Sequence, residues 1–261
     1  MRFLRPLARA VGARELGDGP APFGERARNL AEIARLNGVF GGRLVTLRHV
    51  RQLVARLPAA RPVTVLDLGT GSADVPRALV RWARRARRPI RVFAVDRDPA
   101  TLAVARDTVE GYPEIVLVQG DAEALPFRPG AVDVAISALT LHHLEPSAAI
   151  AHLRAMDRVA RAGIIVNDLV RSRYGWALVW LVTRLLACGR MSRHDGPLSV
   201  RRAYTAEEAR ALCARAGIHG AEVTRYGPLL RFSAVHVKIG EAPPKASRAD
   251  MEVVAERSKA N

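Results

Sequence analysis

Val65-Leu66-Asp67-Leu68-Gly69-Thr70-Gly71-Ser72-Ala73-Asp74 decides the architecture: an apolar run, a carboxylate, then a turn built on two glycines. The run Val63 to Leu68 suits a strand buried on both faces. Glycines at 69 and 71 allow a tight turn and bring backbone N–H groups close to a bound molecule. Ala73 to Arg87 reads as a helix whose positive N-terminal end points at whatever occupies the turn. A dinucleotide fingerprint would place a third glycine at the sixth position of G-x-G-x-x-G, where this chain has Asp74. The Lys-Ser/Thr ending of a phosphate-binding P-loop is missing as well. Asp67, two residues before the first glycine, would repel a pyrophosphate and welcome a cation.

Working outward, the same pattern of strand and acidic tip recurs. Arg91 to Val95 ends in Asp96, followed by Arg97, Asp98 and Pro99. A carboxylate on this neighbouring tip can accept both hydroxyls of a ribose. Ile115 to Val118 runs into Gln119-Gly120-Asp121-Ala122. Val132 to Ser137 leads to Ala138-Leu139-Thr140-Leu141-His142-His143-Leu144. One aspartate in such a position is usually a helix cap or turn residue. A register of them on successive strand ends is not explained that way.

Over about residues 60–240 these segments resemble class I S-adenosylmethionine-dependent methyltransferases. The resemblance implies an α/β, doubly wound, mostly parallel seven-stranded sheet of the Rossmann-like methyltransferase type, with S-adenosylmethionine as cofactor. It implies that Asp67, Gly69, Thr70, Gly71 and Arg97 surround the cofactor, with Asp96 at the ribose. Asp121 would meet the adenine amino group, the Ala122 backbone a ring nitrogen, and Ser137 completes the expected cofactor set. Ala73 stands where the family often has a third glycine, which narrows the methionine end.

The branch follows from what succeeds the fourth strand. Methyltransferases acting on nucleic-acid amino groups carry Asn/Asp-Pro-Pro-aromatic there to hold a flipped base; this chain has Ser137-Ala138-Leu139-Thr140. A Pro-Cys nucleophile for pyrimidine carbon is missing too. Leu-His-His-Leu resembles small-molecule methyltransferases of quinone biosynthesis and natural-product (polyketide) O-methylation. The formal charge of +16 invites a nucleic-acid reading, in which basic residues neutralise phosphates. Yet of 41 basic residues only Lys238, Lys245 and Lys259 are lysines, and the arginines spread over helix faces, as a compositional bias would leave them. The dense cluster Arg81 to Arg88 ends a helix, where cations complement the dipole. A small-molecule acceptor is therefore favoured over RNA.

The domain reading is a flexible N-terminus over 1–24, a helical cap over 25–60, a methyltransferase domain over 61–240 and a disordered tail over 241–261. The cap comprises helices Glu25 to Leu36 and Arg43 to Leu57, broken by Asn37-Gly38 and Gly41-Gly42. The fifth strand is Gly163 to Asn167, and residues 169–202 are a helical insertion read as a substrate lid. Thr205-Ala206-Glu207-Glu208 is a capping box opening a helix to Ala216. Strands near 220–225 and 230–239 close the sheet. Cys188 and Cys213 give neither a disulfide framework nor a zinc site, so no metal is expected and the chain reads as cytoplasmic. Tyr174 to Cys188 is too short to span a bilayer, though peripheral membrane contact stays open.

The insertion carries an apolar helix, Trp176 to Leu186, then a polar segment, Met191 to Arg202. Ligands of doubly wound folds bind beyond the carboxyl ends of the strands, so an apolar helix there implies a lipophilic or aromatic acceptor. The alternative is that Trp176 and Trp180 only bury one helix face. A histidine near its ordinary pKa of ~6.5 can deprotonate a phenolic acceptor. His143 or His142, oriented by Asp168, is the expected base, and His194-Asp195 is a second candidate dyad.

Overall fold

The computed structural model describes residues 7–122, 125–186 and 188–238. The expected tail 241–261, residues 1–6 of the expected flexible segment, and Ile239 of the expected last strand lie outside the described residues. The strands are β1 (Val63–Leu68), β2 (Ile90–Asp96), β3 (Ile115–Gln119), β4 (Val132–Ala138), β5 (Ala160–Leu169), β6 (Glu222–Tyr226) and β7 (Arg231–Val237). They form one sheet in the order β3-β2-β1-β4-β5-β7-β6. The first five pair in parallel, and β7 runs antiparallel between β5 and β6. The sheet is thus mostly parallel and wound in both directions from β1, as the resemblance implied.

Alternation along each strand feeds two apolar layers. Val63, Val65, Val92, Val134 and Ile165 pack with Val50 and Leu53 of α2 (Gly42–Val54) and Leu79 of α3 (Asp74–Arg85). Leu66, Leu68, Val95 and Ile164 pack with Leu153 and Met156 of α5 (Pro146–Val159) and Leu212 of α8 (Ala206–Arg215). Leu66, Leu79 and Met156 are wholly enclosed. Each such burial contributes roughly 1.5–3 kcal/mol, and because a one-residue slip would turn a strand over, it also fixes register. Just after β2, Asp98 caps α4 (Pro99–Thr108) by accepting from the Ala100 amide, with Pro99 at the first helical position.

Three elements differ from the sequence expectation. The helix α1 (Phe23–Val39) continues through Asn37-Gly38, and the break falls at Gly41, whose φ is +67°. The next helix, α2, packs on the sheet instead of capping it, and Asn167 Nδ2 donates to its Gly42 carbonyl at 2.6 Å. Beyond α6 (Arg173–Leu185), the polar segment is itself a helix, α7 (Arg190–Arg202), despite Gly196-Pro197 within it. A Cβ at 196 would press on Val179 and Thr183. That glycine is therefore a close-packing point between α6 and α7, not a helix stop.

Residues 7–22 of the expected flexible segment make long-range contacts. Within residues 7–22, Arg9 Nη1 bonds Glu145 at 2.7 Å and its guanidinium lies 4.3 Å from the Tyr204 ring centroid. The Leu16 and Gly17 amides donate to the two Asp195 oxygens at 2.8 and 2.9 Å. Composition suggested a loop, and it is one, but these distant partners tie it across the molecule.

Candidate active site

A cavity of about 440 Å³ lies over the carboxyl ends of the parallel strands, walled by strand-tip residues, α1, α6, α7 and the segment around Glu15. Its first wall is the glycine turn. Gly69 has φ +80°, and a Cβ there would run into the Thr140 side chain. Ala73 holds the left-handed conformation at φ 55°, where a non-glycine residue is strained by roughly 1–2 kcal/mol. The Gly71 amide donates to Asp96 Oδ2 at 3.0 Å, and the Asp98 amide donates to Asp96 Oδ1 at 3.1 Å. Asp96 thus sits fixed at the β2 tip.

Asp67 is wholly buried. Thr70 Oγ1 donates to its Oδ2 at 2.7 Å, while Oδ1 has no hydrogen-bond partner among the described residues. Burial pushes this carboxyl up to about 7, against the Thr70 bond and with help from the charges of Asp74 and Asp96. A buried carboxylate oxygen without a donor fits a cation. Arg231, also buried and on the cavity wall, leaves Nε and Nη1 without partners among the described residues, so its charge is open to an anionic group. A zwitterionic amino-acid group with an added sulfonium matches these walls; a pyrophosphate does not.

Asp121, Ala122 and Arg97 line the same cavity beyond Asp96, and so do Gly69, Thr70 and Gly71. Ser137 is the exception. Its Oγ donates to the Leu68 carbonyl at 3.0 Å and contacts His152 Nε2 at 2.9 Å, off the cavity wall. It ties β4 to β1 and α5, while the next three residues, Ala138 to Thr140, form the wall.

After β4, the turn Leu141–His143 brings two imidazoles together with ring centroids 4.1 Å apart. Asp168, at the end of the adjacent β5, accepts from the His142 amide at 3.0 Å and lies 2.7 Å from His142 Nδ1. Burial works upward on the Asp168 carboxyl, but His142 and the Leu169 and His142 amides outweigh it and hold it below the usual carboxylate range. With Nδ1–H donated to Asp168, His142 keeps the Nε2 lone pair toward the cavity. His143 lines the cavity too, its Nδ1 3.1 Å from Asp18 Oδ1.

His194 does not join them. It pairs with Asp195 at 2.7 Å, but its side chain is 51% exposed and off the cavity wall. Adjacent helix positions point about 100° apart, so α7 turns Asp195 inward to hold the Leu16–Gly17 amides and His194 outward. Trp176 and Trp180 are likewise half exposed on the outer side of α6, and Val179 is the α6 residue on the cavity wall. The tryptophans therefore neither bury that helix nor line the cavity.

Sequence reasoning missed Glu15, Asp18 and Arg231. Glu15 is buried, with its Oε1 accepting from Ser199 Oγ at 2.9 Å and Arg202 Nη1 3.6 Å away. Burial raises the Glu15 pKa despite His143 and Arg202. At Asp18 burial also works upward, but His143 and Arg202 prevail and hold it below its ordinary range. No local signal marked either residue, because both reach the site from a glycine-rich loop through long-range contacts.

The sheet order, glycine turn and acidic strand tips define the class I methyltransferase fold. Residues 65–163 match the family described as a methyltransferase domain, and the chain as a whole has the Rossmann-like methyltransferase fold. A 2-phytyl-1,4-naphtoquinone methyltransferase of Thermosynechococcus vestitus is 42% identical over 85 residues, which cover 32% of this chain and 36% of that relative. An uncharacterised methyltransferase of Mycobacterium tuberculosis is 34% identical over 121 residues, 46% of this chain and 45% of its own length. Human N-acetylserotonin methyltransferase, solved in complex with SAM, superposes with a TM-score of 0.59 at 16% identity, over 83% of this chain and 56% of that one. The chain spans less than half the length of the curated relatives it matches.

Proposed function

We propose that this chain methylates a hydroxyl oxygen of a small aromatic or lipophilic acceptor, phenolic, polyketide or quinol in type, from S-adenosylmethionine. The observation that carries the reading is the His142–Asp168 pair, 2.7 Å apart and on the wall of the cavity that Asp67 and Asp96 also line. The quinone methyltransferase relative supports a ring-bearing acceptor. When bound, S-adenosylmethionine supplies an electrophilic methyl on a positively charged sulfur. Asp67 Oδ1 and Arg231 would hold its amino-acid end, Asp96 its ribose, and Asp121 with the Ala122 backbone its base.

The chain's own residues then handle the acceptor proton. A phenolic hydroxyl with a pKa of ~10 is scarcely ionised at neutral pH. His142 Nε2 takes the hydroxyl proton as the oxygen bonds to the methyl carbon, and Asp168 stabilises the resulting imidazolium. Leu30, Ile33, Phe40, Leu139 and Val179 on the walls keep the reacting atoms dry.

Acceptor entry is assigned to α6, whose Trp176, Trp180, Leu181 and Leu185 are uncovered. Between Leu169 and His194 the sequence has no acidic residue, while Arg173, Arg184, Arg190 and Arg193 accompany the apolar face. Such a face suits peripheral contact with an anionic membrane; no described helix is long and apolar enough to cross one. Co-sedimentation with anionic vesicles, lost in Trp180→Ser/Leu185→Ser, supports this route, and equal recovery with neutral vesicles removes it.

Transfer of labelled methyl to phenolic polyketides, quinols and RNA tests the main reading. Label should appear on a small phenol or quinol. His142→Ala and Asp168→Asn should cut turnover by about 10²–10⁴-fold at nearly unchanged cofactor affinity. Product NMR separates oxygen from ring-carbon methylation, which the same base would serve. Label in RNA alone, or full turnover by both variants, overturns the reading.

A further inference from the structure

We propose that Glu15, His142 and His143 form a site for one divalent first-row transition-metal ion at the histidine end of the cavity. Glu15 Oε1 lies 3.9 Å from His142 Nε2, and Oε2 lies 3.9 Å from His143 Nε2. These separations are too long for hydrogen bonds. Three donor atoms thus converge on one space without satisfying each other. Metal bonds of ~2.1 Å place two ligands about 3.4 Å apart on a tetrahedral edge; with all three donors within 4.8 Å of one another, side-chain closure of up to about 1.4 Å seats an ion.

The surroundings are those of a ligand set. His142 turns its other nitrogen to Asp168 at 2.7 Å in a hydrogen bond, while His143 Nδ1 lies 3.1 Å from Asp18 Oδ1 without hydrogen-bond geometry. Carboxylates behind histidine ligands fix the ring and strengthen the donor nitrogen. Ser199 Oγ orients Glu15. Arg202 sits 2.9 Å from Asp18 and 3.6 Å from Glu15, and the buried Arg231 acts on Asp168. Two imidazoles and one carboxylate suit zinc, iron, cobalt or nickel better than magnesium or calcium.

Three protein ligands leave further coordination positions toward the cavity. His142 Nε2 cannot hold the ion and take the acceptor proton at once, so a bound ion should suppress the methyl transfer proposed above; that clause alone rests on that proposal. The two cysteines point to no metal, whereas the carboxylate of this set arrives from the loop ahead of α1, far from the histidines in the chain.

The test uses tag-free full-length protein stripped with a chelator and titrated with cobalt(II) chloride. A visible d–d absorption saturating at one equivalent is expected, with Glu15→Gln and His143→Ala each weakening binding by at least about tenfold. Zinc(II) should raise the wild-type melting temperature and leave those of both variants unmoved. No absorption in the wild type, or affinity unchanged in either variant, overturns the proposal. Binding of S-adenosylmethionine by the variants reports that they are folded. Turnover of the stripped protein is read separately, so the metal site and the methyl transfer can fail independently.

Discussion

Asp67 Oδ1 is a buried acceptor with no donor among the described residues, and its electrostatics give the cofactor site a pH signature. The group titrates near 7 in the free protein, above its ordinary value of 3.8. Between about pH 4 and 7 the folded chain holds a proton that the unfolded chain releases, so this residue lowers stability as pH rises through that window. A bound cation reverses the shift, because the complex favours the ionised carboxylate. Affinity for S-adenosylmethionine should therefore climb up to about tenfold per unit between about pH 6 and 7, then level off below ~8, where an α-amino group loses its own charge. Calorimetry at about pH 6 in buffers of different ionisation heat should register proton release approaching one. Affinity constant across the window would show that Asp67 does not meet the cation. Ala73 gives a second residue-scale expectation. Its left-handed backbone favours glycine, while glycine also gains entropy in the unfolded chain. The two effects nearly cancel, so Ala73→Gly should change stability by less than about 1 kcal/mol. Ala73→Val, β-branched in a fully buried left-handed position, should cost more than that in a urea titration.

At the scale of elements, the segment ahead of α1 behaves as a strap whose anchor is Asp195. The carboxylate accepts from the Leu16 and Gly17 amides and so opens the short turn that carries Glu15 and Asp18 to the histidines. In Asp195→Ala both amides lose their acceptor. Charged hydrogen bonds are worth about 1.5–3 kcal/mol each, so exchange at Leu16 and Gly17 should quicken at least about tenfold while β1 and β4 keep their protection. Unchanged exchange at those two amides would mean that Arg9 and its partners hold the strap alone. This element also marks the limit of what the chain reveals by itself. β1 to β4 and the Thr205 capping box were legible because each writes its signal in adjacent residues, as apolar run, acidic tip or Thr-x-x-Glu. The strap and α7 were not. Gly12, Gly17 and Gly19 read as loop whether or not distant side chains pin it, and Gly196-Pro197 reads as a break until α6 needs a residue without Cβ beside Val179 and Thr183. The same reason hid Glu15, Asp18 and Arg231, whereas Asp67, Asp96, His142 and Asp168 stood on strand tips whose neighbours the fold dictates.

Across the whole molecule, the parallel sheet separates a scaffold edge from a site edge. At the amino ends of β1 and β4, opposite the cavity, Asp133 is fully enclosed and takes Arg61 at 2.6 Å, Arg161 at 2.8 Å and the Thr64 amide at 2.8 Å. Burial alone would raise its pKa, but the bonds from Arg61, Arg161 and Thr64 prevail and hold it at about 2. A basic chain gains doubly from this knot, because one carboxylate pins β1, β4 and β5 together and neutralises arginines that would otherwise repel. The folded pKa lies below the ordinary 3.8, so the contribution is complete above about pH 4 and is lost as pH falls toward about 2. Asp133→Ala leaves two arginines without their partner and should cost on the order of 2–4 kcal/mol at pH ~7. Part of that deficit should vanish near pH ~2, where the wild-type carboxyl is itself protonated. Urea titrations at both pH values give the difference, and isothermal titration with S-adenosylmethionine should find affinity within about twofold of wild type, since the cavity lies at the other ends of the same strands. A large loss of cofactor affinity at preserved stability would place Asp133 in communication with the site, against the division of labour that the sheet imposes.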